Sequence, residues 1–123
     1  MAVAFFEGVH MFIISQKSTY TWPVEVHFPV DGGKTERQTF DAEFRRVSQT
    51  RINEIRDAIE KNETSDIELA REMLAGWEGV NDANGDPVPF SERARDQLLD
   101  VPLVSAAVVM SWLGSLTGIK RKN

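Results

Sequence analysis

The sequence predicts an α+β fold: an N-terminal antiparallel β-hairpin followed by a mainly helical half, in a single domain. Three observations carry that expectation. Residues 20–30 alternate apolar and polar side chains with a period of two, which is the mark of a half-buried strand. The stretches after Ser48 and Ser65 repeat apolar residues at the three-to-four spacing of a helix. The chain has 123 residues and a mass of 13.9 kDa, 41% apolar and 27% charged, enough for one core and too little for two.

In the first strand Tyr20, Trp22, Val24, Val26, Phe28 and Val30 share one face, and Thr19, Thr21, Pro23, Glu25, His27 and Pro29 the other. Two prolines on one strand suggest an edge position or a bulge, because proline has no N–H to give to a neighbour. Asp31-Gly32-Gly33-Lys34 supplies a tight reversal, since Gly and Asp tolerate positive φ. A second strand is expected over residues 35–47, with Phe40, Ala42 and Phe44 on its apolar face. The alternating aromatics read first as core.

Ser48 is the expected N-cap of a helix over residues 49–61, where Ile52, Ile55 and Ile59 form the apolar stripe and Asp57 pairs with Lys61 at i,i+4. Asn62-Glu63-Thr64 breaks it. Ser65-Asp66-Ile67-Glu68 has the capping-box pattern, and Ile67, Ala70, Leu74 and Trp77 continue as a stripe, so a short helix is expected over 65–75. Trp77 is expected to anchor that helix to the turn-rich segment behind it. Residues 81–90 contain Asp82, Asn84 and Asp86 at calcium-loop spacing. Placing Asp82 first puts Pro87 at the required sixth-position glycine and Arg93 at the twelfth-position acid, so the EF-hand pattern fails and a small hairpin or an ordered loop is expected. Ser91 is the expected cap of a helix ending at Leu99. Asp100 is then expected to cap a last helix with Pro102 in its first turn, Gly118 as terminator and Lys120-Arg121-Lys122 beside its negative end.

That last segment is the sharpest one. Residues 101–119 carry no charge and are closed by a basic cluster, which meets the length of a transmembrane helix. Ser105, Ser111, Gly114, Ser115 and Thr117 dilute its apolarity, and Pro102 and Gly118 trim the usable span below the roughly 30 Å of a hydrocarbon core. A core helix, or one shared with a partner, is the better expectation. Val108, Met110, Trp112, Leu113 and Leu116 wrap more than one side of it and are the candidate contacts for a partner or for self-association. Trp22, Trp77 and Phe90 are the expected structural anchors.

Composition removes several function classes. Fourteen Lys and Arg against nineteen Asp and Glu give a net charge of −5 and a pI near 5.0, opposite to the basic field of a nucleic-acid or anionic-membrane binder. The absence of cysteine excludes disulfides, thiol nucleophiles and Cys-held metals. The two histidines, His10 and His27, have no metal-ligand spacing, and Asp31-Gly32-Gly33-Lys34 lacks the form of a phosphate loop. No catalytic, cofactor or metal residues are expected, and no enzyme. Residues 1–18 are expected to be an extension or a loosely held segment. The apolar start lacks the positive end of a secretory signal, Glu7 and His10 interrupt it, and Met11 is an alternative start.

The run Trp77-Glu78-Gly79-Val80, then Asn84-Gly85-Asp86-Pro87-Val88-Pro89-Phe90-Ser91, resembles tail assembly chaperones of long-tailed bacteriophages. In that family a leucine-bearing helix and a small-residue-rich C-terminal helix follow, corresponding here to residues 93–99 and 101–118. The Trp22-Pro23-Val24 strand and its hairpin resemble the family's N-terminal half, so the likeness covers residues 19–123. It implies a non-enzymatic protein that binds the tape-measure protein and promotes polymerisation of the tail tube. It also implies a short form, with a longer, frameshifted form recruiting the tail-tube protein. A homo-oligomer in the host cytoplasm, absent from the mature virion, with no nucleic-acid or membrane partner, completes the expectation. The alternatives are a virion structural tail or connector protein and a small tail-anchored membrane protein.

Overall fold

A computed structural model describes residues 11–117. The expected extension over residues 1–10, the terminator Gly118 and the basic cluster at Lys120–Lys122 lie outside the described residues. The element order is β1 (Thr19–Val30), β2 (Lys34–Arg45), α1 (Gln49–Glu60), α2 (Asp66–Met73), β3 (Leu74–Glu78), α3 (Glu92–Leu99) and α4 (Val104–Leu116). The expected α+β class is the one observed, with a third strand added to the hairpin.

β1 and β2 pair antiparallel over their whole lengths, from Thr19 opposite Arg45 to Val30 opposite Lys34. Gly32 and Gly33 close the hairpin at φ of 81° and 72°, a region that favours glycine. The sheet order is β1-β2-β3, so β1 lies at an edge among the described residues. The Arg46 N–H donates to the Ser18 carbonyl at 2.9 Å, which sets even-numbered β1 residues to bond toward β2. The odd ones, Pro23 and Pro29 among them, then turn their backbone groups outward. Both prolines therefore sit where a missing N–H costs no ladder bond, and they interrupt the edge against pairing with another chain.

β3 corrects the sequence expectation of one helix through Ala75. Leu74 is already extended, with φ −87° and ψ 111°. Its register runs Leu74 opposite Phe44, Gly76 opposite Glu43 and Trp77 opposite Ala42, leaving Ala75 as the extra residue of a bulge. The bulge returns Leu74 and Trp77 to one face although they stand three apart. That spacing imitates a helical stripe, and so it conceals the strand. Gly76 leaves room for its neighbour: a Cβ there would push aside the Glu43 carboxylate, which accepts a 2.7 Å hydrogen bond from the Thr19 hydroxyl.

The helices start where serines cap them. Ser48 accepts from the Arg51 N–H, Ser65 from the Glu68 N–H and Ser91 from the Ala94 N–H, at 3.1, 3.3 and 3.0 Å. α1 meets the core through Ile55 alone, with Ile52 half-buried and Ile59 exposed. A forked contact from Arg51 to Glu72 of α2, 2.8 Å from Nε and 2.6 Å from Nη2, ties α1 down further.

α4 also departs from expectation. Asp100 does not cap it, because its own N–H donates to the Asp96 carbonyl at 3.1 Å and it closes α3 instead. Leu103 stands at φ 78°, the chain turns by 102° between α3 and α4, and the helix begins at Val104 without a side-chain cap. Pro102 therefore precedes the helix and does not lie within its first turn. α4 packs between β1 and α2. Val24, Val26, Phe40, Ala42 and Phe44 from the sheet, Leu69, Ala70, Met73 and Leu74, and Val104, Val108, Val109 and Trp112 form one core between the layers. No single helix among the described residues is long and apolar enough to cross a membrane.

Candidate functional site

The segment after β3 folds back on Trp77 through Val88 and Phe90. The Trp77 Nε1–H donates to the Val88 carbonyl at 2.8 Å, and its ring meets Phe90 edge to face at 4.9 Å and 77°. The intervening segment folds as a small hairpin. Asn81 bridges Pro87, the Val88 N–H donates to the Val80 carbonyl at 2.8 Å, and Gly85 takes φ 83° at the tip. One Asp82 carboxylate oxygen accepts the N–H groups of Asn84 and Asp86 at 2.9 and 3.0 Å. The acidic spacing that imitates a calcium loop is therefore a self-satisfied turn. Trp77 fixes this hairpin to the sheet, since it stands on β3, and not to the α2 helix as its spacing suggested.

Across the sheet the register places Trp22, Ala42 and Trp77 in one row on the helix-facing side. The small alanine separates two half-buried indoles. Phe90 is likewise half-buried against the core, so all three expected anchors occupy partly covered positions.

α4 sorts the candidate contact residues into two groups. Val108 is 0% exposed and Trp112 1%, so neither reaches a partner and both belong to the core. Burial between β1 and α2 accounts for much of the uncharged character of the segment. Leu113 and Leu116 are half-buried. Met110 is 68% exposed and is the residue of the five that faces outward.

Met110 borders an open groove of about 920 Å³. Trp22, Pro23 and Phe40 from the sheet and Ser111, Gly114 and Thr117 from the end of α4 help to line it, with Gly79 beside Phe40. Its charged lining residues are Glu25, Asp41 and Glu78 against Arg37, which lies 3.7 Å from Glu25. The groove thus combines apolar side chains with an excess of carboxylate. Sequence reasoning named Trp22 and Met110 but missed the acidic residues, although all three occupy the polar phase of their strands. Glu25 and Asp41 follow from the period-two alternation, whereas Glu78 needed the unrecognised β3. Among the described residues, no group of three His, Asp or Glu side chains gathers as a metal site.

The strongest electrostatic link is structural. Hydrogen bonding from Arg51 holds the Glu72 carboxyl below its ordinary range, and the same bond, with one that Arg51 donates to Glu54, raises the Arg51 guanidinium further.

No protein-family model, curated protein or solved structure matches this chain.

Proposed function

We propose that this chain is a non-enzymatic tail assembly chaperone of a long-tailed bacteriophage. In this reading it acts in the host cytoplasm as a homo-oligomer, binds the tape-measure protein and promotes tail-tube polymerisation, and leaves before the virion is complete. A longer, frameshifted form would recruit the tail-tube protein.

The observation that carries the reading is the run of residues 77–91, whose resemblance to that family rests on turn and anchor residues. Those residues have turn and anchor roles in this fold: Trp77 and Phe90 clamp the hairpin, Gly85 turns it and Ser91 starts the next helix. The groove at Met110 and Trp22 supports the client-binding part. Met supplies an adaptable contact and Trp a large one, and both suit helices of varied sequence.

The test is co-purification of the chain with fragments of the tape-measure protein encoded beside it, together with analysis of purified virions. The proposal expects a complex with a tape-measure fragment and no copy of the chain in finished particles. Stoichiometric retention in particles would instead mark a structural tail or connector protein.

A further inference from the structure

Trp22 also borders a second cleft, of about 610 Å³, bounded by the base of the β1–β2 hairpin, by Ile52 of α1 and by the end of α4. Its charged lining residues, Arg45 and Arg46, are both cationic. Ser115 gives its only hydroxyl hydrogen to the Trp112 carbonyl at 2.6 Å, so in the 2.7 Å contact between the two hydroxyls Tyr20 is the donor. Both hydroxyl hydrogens are thereby spent. Trp112 lines the same cleft, and its indole N–H is buried with no acceptor among the described residues. A buried donor without a partner is rare in folded proteins.

Two cations stand beside it. Arg46 lies with its guanidinium 4.8 Å over the Tyr20 ring, and Arg45 donates from Nε to the Glu72 carbonyl at 3.1 Å. None of the ion pairs among the described residues uses either arginine. No Asp or Glu among the described residues lines the cleft, in a chain whose net charge is −5. The charged groups of the cleft are therefore positive, set among apolar side chains such as Val47 and Leu116.

We propose that this cleft binds a carboxylate-bearing, otherwise apolar segment of a protein partner. A carboxylate only accepts, and its planar oxygens match guanidinium donors. The exposed rim at Gln16, Arg45 and Arg46 suits side chains presented on a segment better than an enclosed small molecule. The acidic net charge opposes a polyphosphate backbone at longer range and not a segment with one or two carboxylates. This inference is independent of the tape-measure reading, which uses the groove at Met110.

The test uses the full chain and three labelled probes: a short Leu/Ala helical peptide carrying glutamates, the same peptide carrying lysines, and a short single-stranded DNA. Fluorescence anisotropy should show the glutamate peptide binding at least about tenfold more tightly than the other two. The Trp112 indole N–H resonance should shift on titration. Arg46→Gln should weaken binding about tenfold while Lys34→Gln, at the far end of the β1–β2 hairpin, leaves it unchanged. If Arg46→Gln disturbs the fold by circular dichroism, Arg45→Gln takes its place with the same expectation. Equal binding of the two peptides, preference for the oligonucleotide, an unmoved indole resonance, or indifference to the arginine variant would each overturn the proposal.

Discussion

Replacing Trp77 with alanine removes the side chain that bonds the β3 strand to Val88 and Phe90 of the following segment. Its ring is half-buried, so about 100 Å² of apolar contact is lost, worth about 2.5 kcal/mol at 25 cal/mol per Å². The 2.8 Å bond to the Val88 carbonyl adds about 1 kcal/mol, partly recovered when water reaches that oxygen. The edge-to-face contact with Phe90 adds about 0.5 kcal/mol or more beyond area. Together these give about 3–4 kcal/mol. In equilibrium urea unfolding with a slope of about 1.5 kcal/mol per molar, the midpoint should fall by about 2 M. Trp77→Phe keeps most of the ring and loses the N–H, so it should cost about 1 kcal/mol. A double-mutant cycle with Phe90→Ala should return a coupling of about 0.5–1.5 kcal/mol. A Trp77→Ala cost below about 1 kcal/mol, or zero coupling to Phe90, would refute the anchoring role.

Three further outcomes follow from the same geometry. The folded-state pKa of Glu72 is depressed by Arg51, so the pair's contribution is present above the unfolded value near 4.5 and is lost as pH falls through the folded one. With side chains 41% and 34% exposed, screening limits it to about 0.5–1 kcal/mol. The stability gap between the native chain and Glu72→Gln should therefore close on acidification, and a gap unchanged down to pH 2 would contradict the assignment. Gly85 stands at φ 83° with nothing near its Cβ position, so Gly85→Ala should cost about 1–2 kcal/mol from backbone strain alone, and Gly85→Asn less. Thermal unfolding of the two variants checks the order. Val108→Glu should abolish folding, because it buries an unpaired charge, while Met110→Glu should shift stability by less than about 0.5 kcal/mol, as circular dichroism melts will show.

The parts of the fold that were legible in the sequence are those where one local rule acts alone. The alternation from Tyr20 to Val30 could only be a strand with one covered face, and the three serine caps marked their helices to within a residue or two. β3 escaped because a bulge at Ala75 put Leu74 and Trp77 on one face at a helical spacing. The start of α4 escaped because Leu103 adopts a left-handed conformation that its side chain does not announce. At the groove, Trp22 and Met110 were visible as candidates, but the sorting of α4 into buried Val108 and Trp112 against exposed Met110 depends on what packs on each side. Arg46 over Tyr20 and the unpaired Trp112 N–H join residues far apart in the chain, and no local pattern signals them.

The central claim concerns a client, and the most direct measurement is the solubility of the tape-measure protein co-expressed with this chain. The chaperone reading predicts that the native chain keeps the tape-measure protein in the soluble fraction and co-purifies with it. It also predicts that Met110→Glu, folded by circular dichroism, loses both effects by placing a charge on the groove. A tape-measure protein that stays equally insoluble with and without the chain would contradict the account.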